Sequence, residues 1–180
     1  MIYKWEIPNI WPNKRIGMII KGTGTDRFEF RKCELLSEDN TICPNIVFEC
    51  REKFLFDVLP NSGLLLIVSK RVLDIMNNFC EGDFQQFKAN IFVGEKEIEG
   101  YYLLNILNKI EILDKEKSIF TTILDTDAIL NLKKAVYKYE DLLGRHIVRN
   151  ADCLSHILVT EKLKEIFEKE KIKGVEFGLE

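Results

Sequence analysis

Leu66-Ile67-Val68-Ser69-Lys70-Arg71-Val72-Leu73-Asp74-Ile75-Met76 and Ile157-Leu158-Val159-Thr160-Glu161-Lys162-Leu163-Lys164-Glu165-Ile166-Phe167 are two versions of one pattern. Each has three branched aliphatics, a hydroxyl residue, two charges, an aliphatic, a pair ending in an acid, an Ile and a bulky apolar residue. A run of branched aliphatics suits a buried extended segment. Ser69 and Thr160 stand where a side-chain oxygen can accept from the orphan N–H groups of a helix's first turn. Val72, Ile75, Met76 and Phe79 then share one helical face, as do Leu163, Ile166 and Phe167. The reading is an α+β domain with a largely antiparallel or mixed sheet, on which two equivalent strand–cap–helix units, 66–79 and 157–170, are packed.

Around these units the chain is ordinary in composition. Its 180 residues suit one compact domain, with 46% apolar and 31% charged side chains. Twenty-six basic against 29 acidic residues leave a net charge of −3. Nucleic acid and anionic membranes both select basic surfaces, so neither is the expected partner. No apolar run approaches the ~20 residues of a membrane helix. The opening Met1-Ile2-Tyr3-Lys4-Trp5-Glu6-Ile7 lacks the basic and apolar regions of a signal peptide. Five irregularly spaced cysteines (33, 43, 50, 80 and 153) read as free thiols in a reducing compartment. The expectation is a cytoplasmic protein, a monomer or weak homodimer.

Upstream of the first unit, residues 1–60 read as β-rich. Tyr3, Trp5 and Ile7 alternate with polar residues, as do Phe28 and Phe30, and then Ile46, Phe48 and Cys50. Trp11 sits in a Pro/Asn loop, where a Trp serves as a binding anchor or, more often, as a lid over a core edge, and Lys53 to Leu59 is a short turn-like or helical piece. Residues 61–180 form the second part. Phe84 to Val93 is a strand there, and Ile98 to Leu113 is the longest extended candidate, apolar on both faces and so central in a sheet. Residues 119–139 fit a helix or a strand equally well. Ile147 to Arg149 is a short strand, Asn150 to Ser155 a loop, Gly174 a helix C′ residue, and Val175 to Phe177 a last strand.

Chemistry has weak candidates. Lys21-Gly22-Thr23-Gly24-Thr25-Asp26 lacks both the third glycine of a dinucleotide fingerprint and the Gly-Lys-Ser/Thr of a P-loop, so a turn is the simpler account. Cys153, His156 and His146 lack a fourth ligand at zinc spacing, and Cys153 with His156 is a nucleophile–base pair only if the fold orients it. Asp125 and Asp127 suit a capped turn better than a cation loop. No catalytic residue, cofactor or metal site is expected. The rival is a small enzyme or nucleotide-binding protein using the 22–26 turn or the Cys153/His156 pair.

Several short motifs are familiar together. Leu-Leu-Ile-Val-Ser at 65–69 is followed by Tyr-Tyr-Leu-Leu-Asn at 101–105, Leu113-Asp114 with Ser118 after it, and Ile147-Val148-Arg149. The chain closes with Ile157-Leu158-Val159-Thr160, a helix, and Gly174-Val175-Glu176-Phe177. Over roughly residues 60–180 the chain resembles a bacterial immunity-protein family of polymorphic toxin systems, known as domain of unknown function sixteen twenty-nine, or immunity protein family eleven. It carries Val148 where a Phe before the Arg is common in that family. The resemblance implies a non-catalytic protein that neutralises a cognate toxin by covering its active or target-binding surface. Among the shared polar positions, Ser69 and Thr160 read as caps, and Asn105 needs partners if buried. Asp114, Ser118 and Arg149 read as a network bracing the sheet. The toxin-binding residues are not marked in the sequence.

Overall fold

A computed structural model describes residues 1–124, 126 and 129–179. Its strands and helices in chain order are β1 (Ile2–Glu6), β2 (Met18–Ile19), β3 (Asn45–Phe48), β4 (Leu66–Ser69), α1 (Lys70–Phe79), β5 (Phe84–Lys88), β6 (Asn90–Val93) and β7 (Lys96–Ile98). These are followed by β8 (Tyr101–Ile106), β9 (Lys109–Ile110), β10 (Ile119–Thr122), β11 (Ile129–Lys134), β12 (Ile147–Asn150), β13 (Cys153–Thr160), α2 (Glu161–Lys169) and β14 (Glu176–Gly178). The fold is mixed α+β.

Both repeated stretches fold as strand, cap and helix. Ser69 is extended (φ −69°, ψ 164°) and its hydroxyl accepts from the Val72 N–H at 3.4 Å. Thr160 has nearly the same geometry (φ −75°, ψ 157°) and accepts from the Leu163 N–H at 3.5 Å. Each cap is worth about 1 kcal/mol. The two units enter different sheets. β4 belongs to the order β4-β8-β5, whereas β13 lies inside β14-β1-β13-β12-β9. A third sheet, β2-β3-β6-β7, is mixed, and β10-β11 form a two-stranded hairpin.

What joins the two units is a shared core. Val72, Leu73 and Met76 of α1, Leu163 and Phe167 of α2, Leu66, Val68 and Leu104 of one sheet, and Ile147, Ile157 and Val159 of the other form one buried cluster. The helices lie side by side and antiparallel, because their ends meet crosswise. Arg71 at the start of α1 reaches Glu170 beyond α2, at 3.1 Å from its carboxylate. Lys162 at the start of α2 lies 5.5 Å from the Phe79 ring at the end of α1. The opposite faces pack elsewhere: Ile67 and Leu103 join Phe30, Ile46 and Phe48 in a second core. Val148 and Leu158 join Ile2, Ile112 and Leu142 in a third. Burial on both faces explains the unbroken aliphatic runs.

Where strand expectations differ from the structure, a polar side chain or a sheet change is responsible. Phe28 and Phe30 lie at a 3-10 turn spanning Glu29–Arg31, not in a strand. The Asp26 carboxylate accepts from the Phe28 N–H at 2.8 Å and starts that turn, leaving Phe30 buried and Phe28 exposed. The long candidate from Ile98 divides at Leu107–Asn108. There the Leu107 N–H donates to the Asp83 carbonyl at 2.9 Å and the Asn108 amide to the Asp83 carboxylate at 3.1 Å. The chain so passes from β8 into β9, which pairs with β12. Phe84–Val93 likewise divides at the buried Ala89, since β5 pairs with β8 and β6 with β3. The undecided stretch 119–139 holds the β10–β11 hairpin.

The end of α2 also departs from glycine rules. Lys171 (φ 55°) takes the left-handed position, with its N–H on the Glu168 carbonyl at 3.0 Å and the Ile172 N–H on the Phe167 carbonyl at 2.9 Å. This is a Schellman ending, so Gly174 is not the C′ residue.

Candidate functional site

Arg149 is the largest fully buried side chain, only 1% exposed. No carboxylate lies within ion-pair distance of it among the described residues. One terminal nitrogen donates to the Leu154 carbonyl at 2.7 Å and the other to the Phe30 carbonyl at 3.3 Å. Burial, together with the charge of Arg31, pulls its pKa down to about 10, which leaves it protonated at neutral pH.

The position of Leu154 explains the arrangement. β12 and β13 pair Arg149 with Ile157, but the next residue, Asn150, pairs with Cys153. Leu154, Ser155 and His156 therefore bulge out of the ladder. Asn150 tightens the turn by accepting from the Asp152 N–H at 3.0 Å. Arg149 sits beneath the bulge and satisfies one of its carbonyls, and its other arm holds the 26–32 turn. These are the two walls of an open cleft of about 670 Å³, lined by Phe28, Arg31 and Lys32 on one side and by Ala151 to Ser155 on the other, with Ile129 at its edge. A second cleft of about 370 Å³ adjoins it at Ser155 and is lined by Trp5, Leu64 and His156.

The other singled-out polar residues are placed separately. Asn105 is fully buried and donates to the Glu34 carbonyl at 2.8 Å and to Gln85 at 3.1 Å. Gln85 in turn holds Leu36 through both of its backbone polar groups, at 2.8 and 3.0 Å. The pair fastens the 34–36 segment onto β5 and β8. Asp114 and Ser118 meet at the base of the hairpin. The Asp114 N–H donates to the Val136 carbonyl at 2.8 Å, and the Ser118 hydroxyl accepts from the Val136 N–H at 2.9 Å. Its contacts with Lys117 hold the Asp114 carboxyl below its usual range. Arg149 shares no hydrogen bond with Asp114 or Ser118. Ser69 and Thr160 cap their helices as described above.

The bulge brings Cys153 and His156 together. Burial raises the thiol's pKa, but hydrogen bonds from His156 and Ser155 and the charge of His156 more than offset this, so it lies below its ordinary value. The Ser155 hydroxyl is 3.3 Å from the sulfur. Burial pushes the thiols of Cys33, Cys43, Cys50 and Cys80 upward instead. Cys153 is therefore the one of the five whose surroundings favour the thiolate. In the 22–26 turn the side chains serve the loop. Thr23 and Thr25 accept from the N–H groups of Asn45 and Ile42 at 2.9 and 3.1 Å. Among the described residues no three His, Cys, Asp or Glu side chains are placed to hold a metal. Asp125 and Asp127 lie outside the described residues.

Sequence reasoning missed Arg27, Phe28 and Arg31 as one surface, because their alternation imitates a strand. It also missed the bulge, which no residue type announces.

Arg149→Leu is expected to destabilise the chain by about 2–3 kcal/mol, since two carbonyls lose charge-assisted donors and relief from desolvation returns only part of that. Urea unfolding measures it, and a wild-type midpoint would remove the bracing role.

No described helix is long and apolar enough to cross a membrane. No curated protein matches the chain. The immunity protein family (Imm11) matches residues 43–179, a span that begins at β3 and runs through both strand–cap–helix units into β14. With well over half of its length inside that match, the chain belongs to the immunity protein family Imm11.

Proposed function

We propose that this chain is a non-catalytic immunity protein that acts in the cytoplasm of a toxin-producing bacterium. It binds the cognate toxin and blocks it by covering the toxin's active or target-binding surface. The observation that carries this reading is the family match across both structural units. The physical arrangement supports it: a sheet-and-helix scaffold with three packed cores holds up an open cleft rimmed by exposed Phe28. Aromatic and arginine side chains at a solvent-accessible cleft are the usual anchors of protein recognition.

Co-expression with the toxin domain encoded beside it tests the reading. Growth should be restored and a one-to-one complex should elute on gel filtration. Absence of both, with every neighbouring toxin domain tried, would sink it.

The activated Cys153 favours a second reading, an enzyme acting through a thiolate. Cys153→Ser separates the two. Under the binding reading this variant protects cells as wild type does, and under the enzyme reading it does not.

A further inference from the structure

The cleft beneath Phe28 is bordered by arginines that form no ion pair among the described residues. Arg27 and Arg31 flank the Phe28 ring, with their guanidinium carbons 4.8 and 5.2 Å from its centroid. One donor of each is used on the 62–63 turn, on the Ser62 carbonyl at 3.0 Å and the Gly63 carbonyl at 2.6 Å. A guanidinium has five donors, so most of this capacity is left over.

The nearby described acids form no ion pair with Arg27 or Arg31. Asp26 accepts from the Phe28 N–H, and Glu29 pairs with Lys32 at 2.7 Å. Asp152, itself in the cleft lining, pairs through Oδ1 with Lys115 at 2.8 Å, while its Oδ2 is buried without a hydrogen-bond partner among the described residues. Neither Arg27 nor Arg31 has an ion pair among the described residues, and Arg149 lies beneath them in the same state. The three cations also disfavour one another: the charge of Arg27 acts on Arg31, and that of Arg31 on Arg149. Nε of both Arg31 and Arg149 is buried without a hydrogen-bond partner among the described residues. In a chain of net charge −3, three arginines so stand together without an ion pair among the described residues. An anion arriving at the cleft relieves repulsion already present, and an apolar group beside it covers a half-exposed aromatic ring.

We infer that this cleft, with Arg27 beside its lining on the far side of the Phe28 ring, docks a loop of the toxin carrying a carboxylate next to an apolar side chain, the acid on Arg31 and Arg27 and the apolar group on Phe28. The inference rests on the toxin-binding reading above.

Calorimetry of the full chain with the inactivated toxin domain encoded beside it provides the test. Arg27→Glu and Phe28→Ser should each weaken binding by about tenfold or more while keeping the wild-type thermal midpoint. Lys70→Glu, on the wet face of α1, should bind as wild type does. Saturating toxin should also slow alkylation of Cys153 by iodoacetamide, because the thiol lies within the cleft.

If wild type binds no toxin, the proposed function and this inference fall together. If wild type binds, but the two cleft variants fold and bind equally well, or Cys153 reacts unhindered in the complex, only this inference falls. Binding of a short single-stranded DNA that Arg27→Glu abolishes would reassign the cleft to nucleic acid and likewise overturn it.

Discussion

Phe167→Ala should cost about 3–5 kcal/mol and lower the thermal midpoint by roughly 8–16 °C. The ring is 1% exposed and stands edge-on to Trp5 and Phe177, with centroids 5.3 and 5.6 Å away. Trp5 and Phe177 are themselves edge-on at 5.6 Å, so the three rings close a triangle. Truncation removes two edge-to-face contacts and leaves a cavity whose walls belong to β1, α2 and β14. Those elements cannot collapse inward independently, because β1 is hydrogen-bonded between β13 and β14. Phe167 also offers the carbonyl that accepts from Ile172 in the helix ending, and Ile172 packs on the same core. The loss is measured by urea unfolding monitored through Trp fluorescence. A cost below about 1 kcal/mol would mean that the core relaxes freely around the site.

Gly174→Ala is the second large effect, on the order of 4 kcal/mol. Two independent causes add. The residue has φ +96°, a conformation that side chains with a Cβ rarely adopt. A Cβ built there also falls 2.0 Å from the Val58 carbonyl oxygen, a backbone atom that cannot swing aside. The approach is close because the Val58 N–H donates to the Lys173 carbonyl at 2.9 Å, and Val58 forms a bridge with Val68 of β4. This contact ties the segment leading to β14 to the first strand–helix unit. The variant should unfold at lower urea, with β14 amides exchanging faster than those of β12. Wild-type exchange at β14 would show that the backbone shifts without cost.

These two positions separate what was legible in the chain from what was not. The hydroxyl caps, the aliphatic runs and the apolar helix faces came from local chemistry, and local chemistry decides them. A Ser or Thr oxygen reaches an N–H three residues on wherever it lies, and a face at helical spacing is apolar before any partner is chosen. Gly174 shows the limit of such rules. Its freedom is spent on a contact with Val58 more than a hundred residues away, while Lys171 ends the helix. Asp26 was invisible in the same way: a carboxylate that turns the chain overrode an alternation that reads as strand.

The candidate site was legible only in pieces. Arg149 stood out as a polar position of the family motifs, and Cys153 and His156 as a spaced pair. No sequence pattern places Phe30 on Arg149, since that contact spans 119 residues. Nor does it reveal the bulge, which exists because β12 and β13 keep pairing on both sides of it.

The amino-acid sequence by itself determined two strand–cap–helix units, the faces they bury and the mixed α+β class, because each follows from interactions within a few residues. The tertiary structure alone decided that the units enter separate sheets, share one core through antiparallel helices, and place three arginines that have no ion pair among the described residues beside one cleft. Those outcomes depend on which distant segments meet and on where in space the charged side chains come to lie.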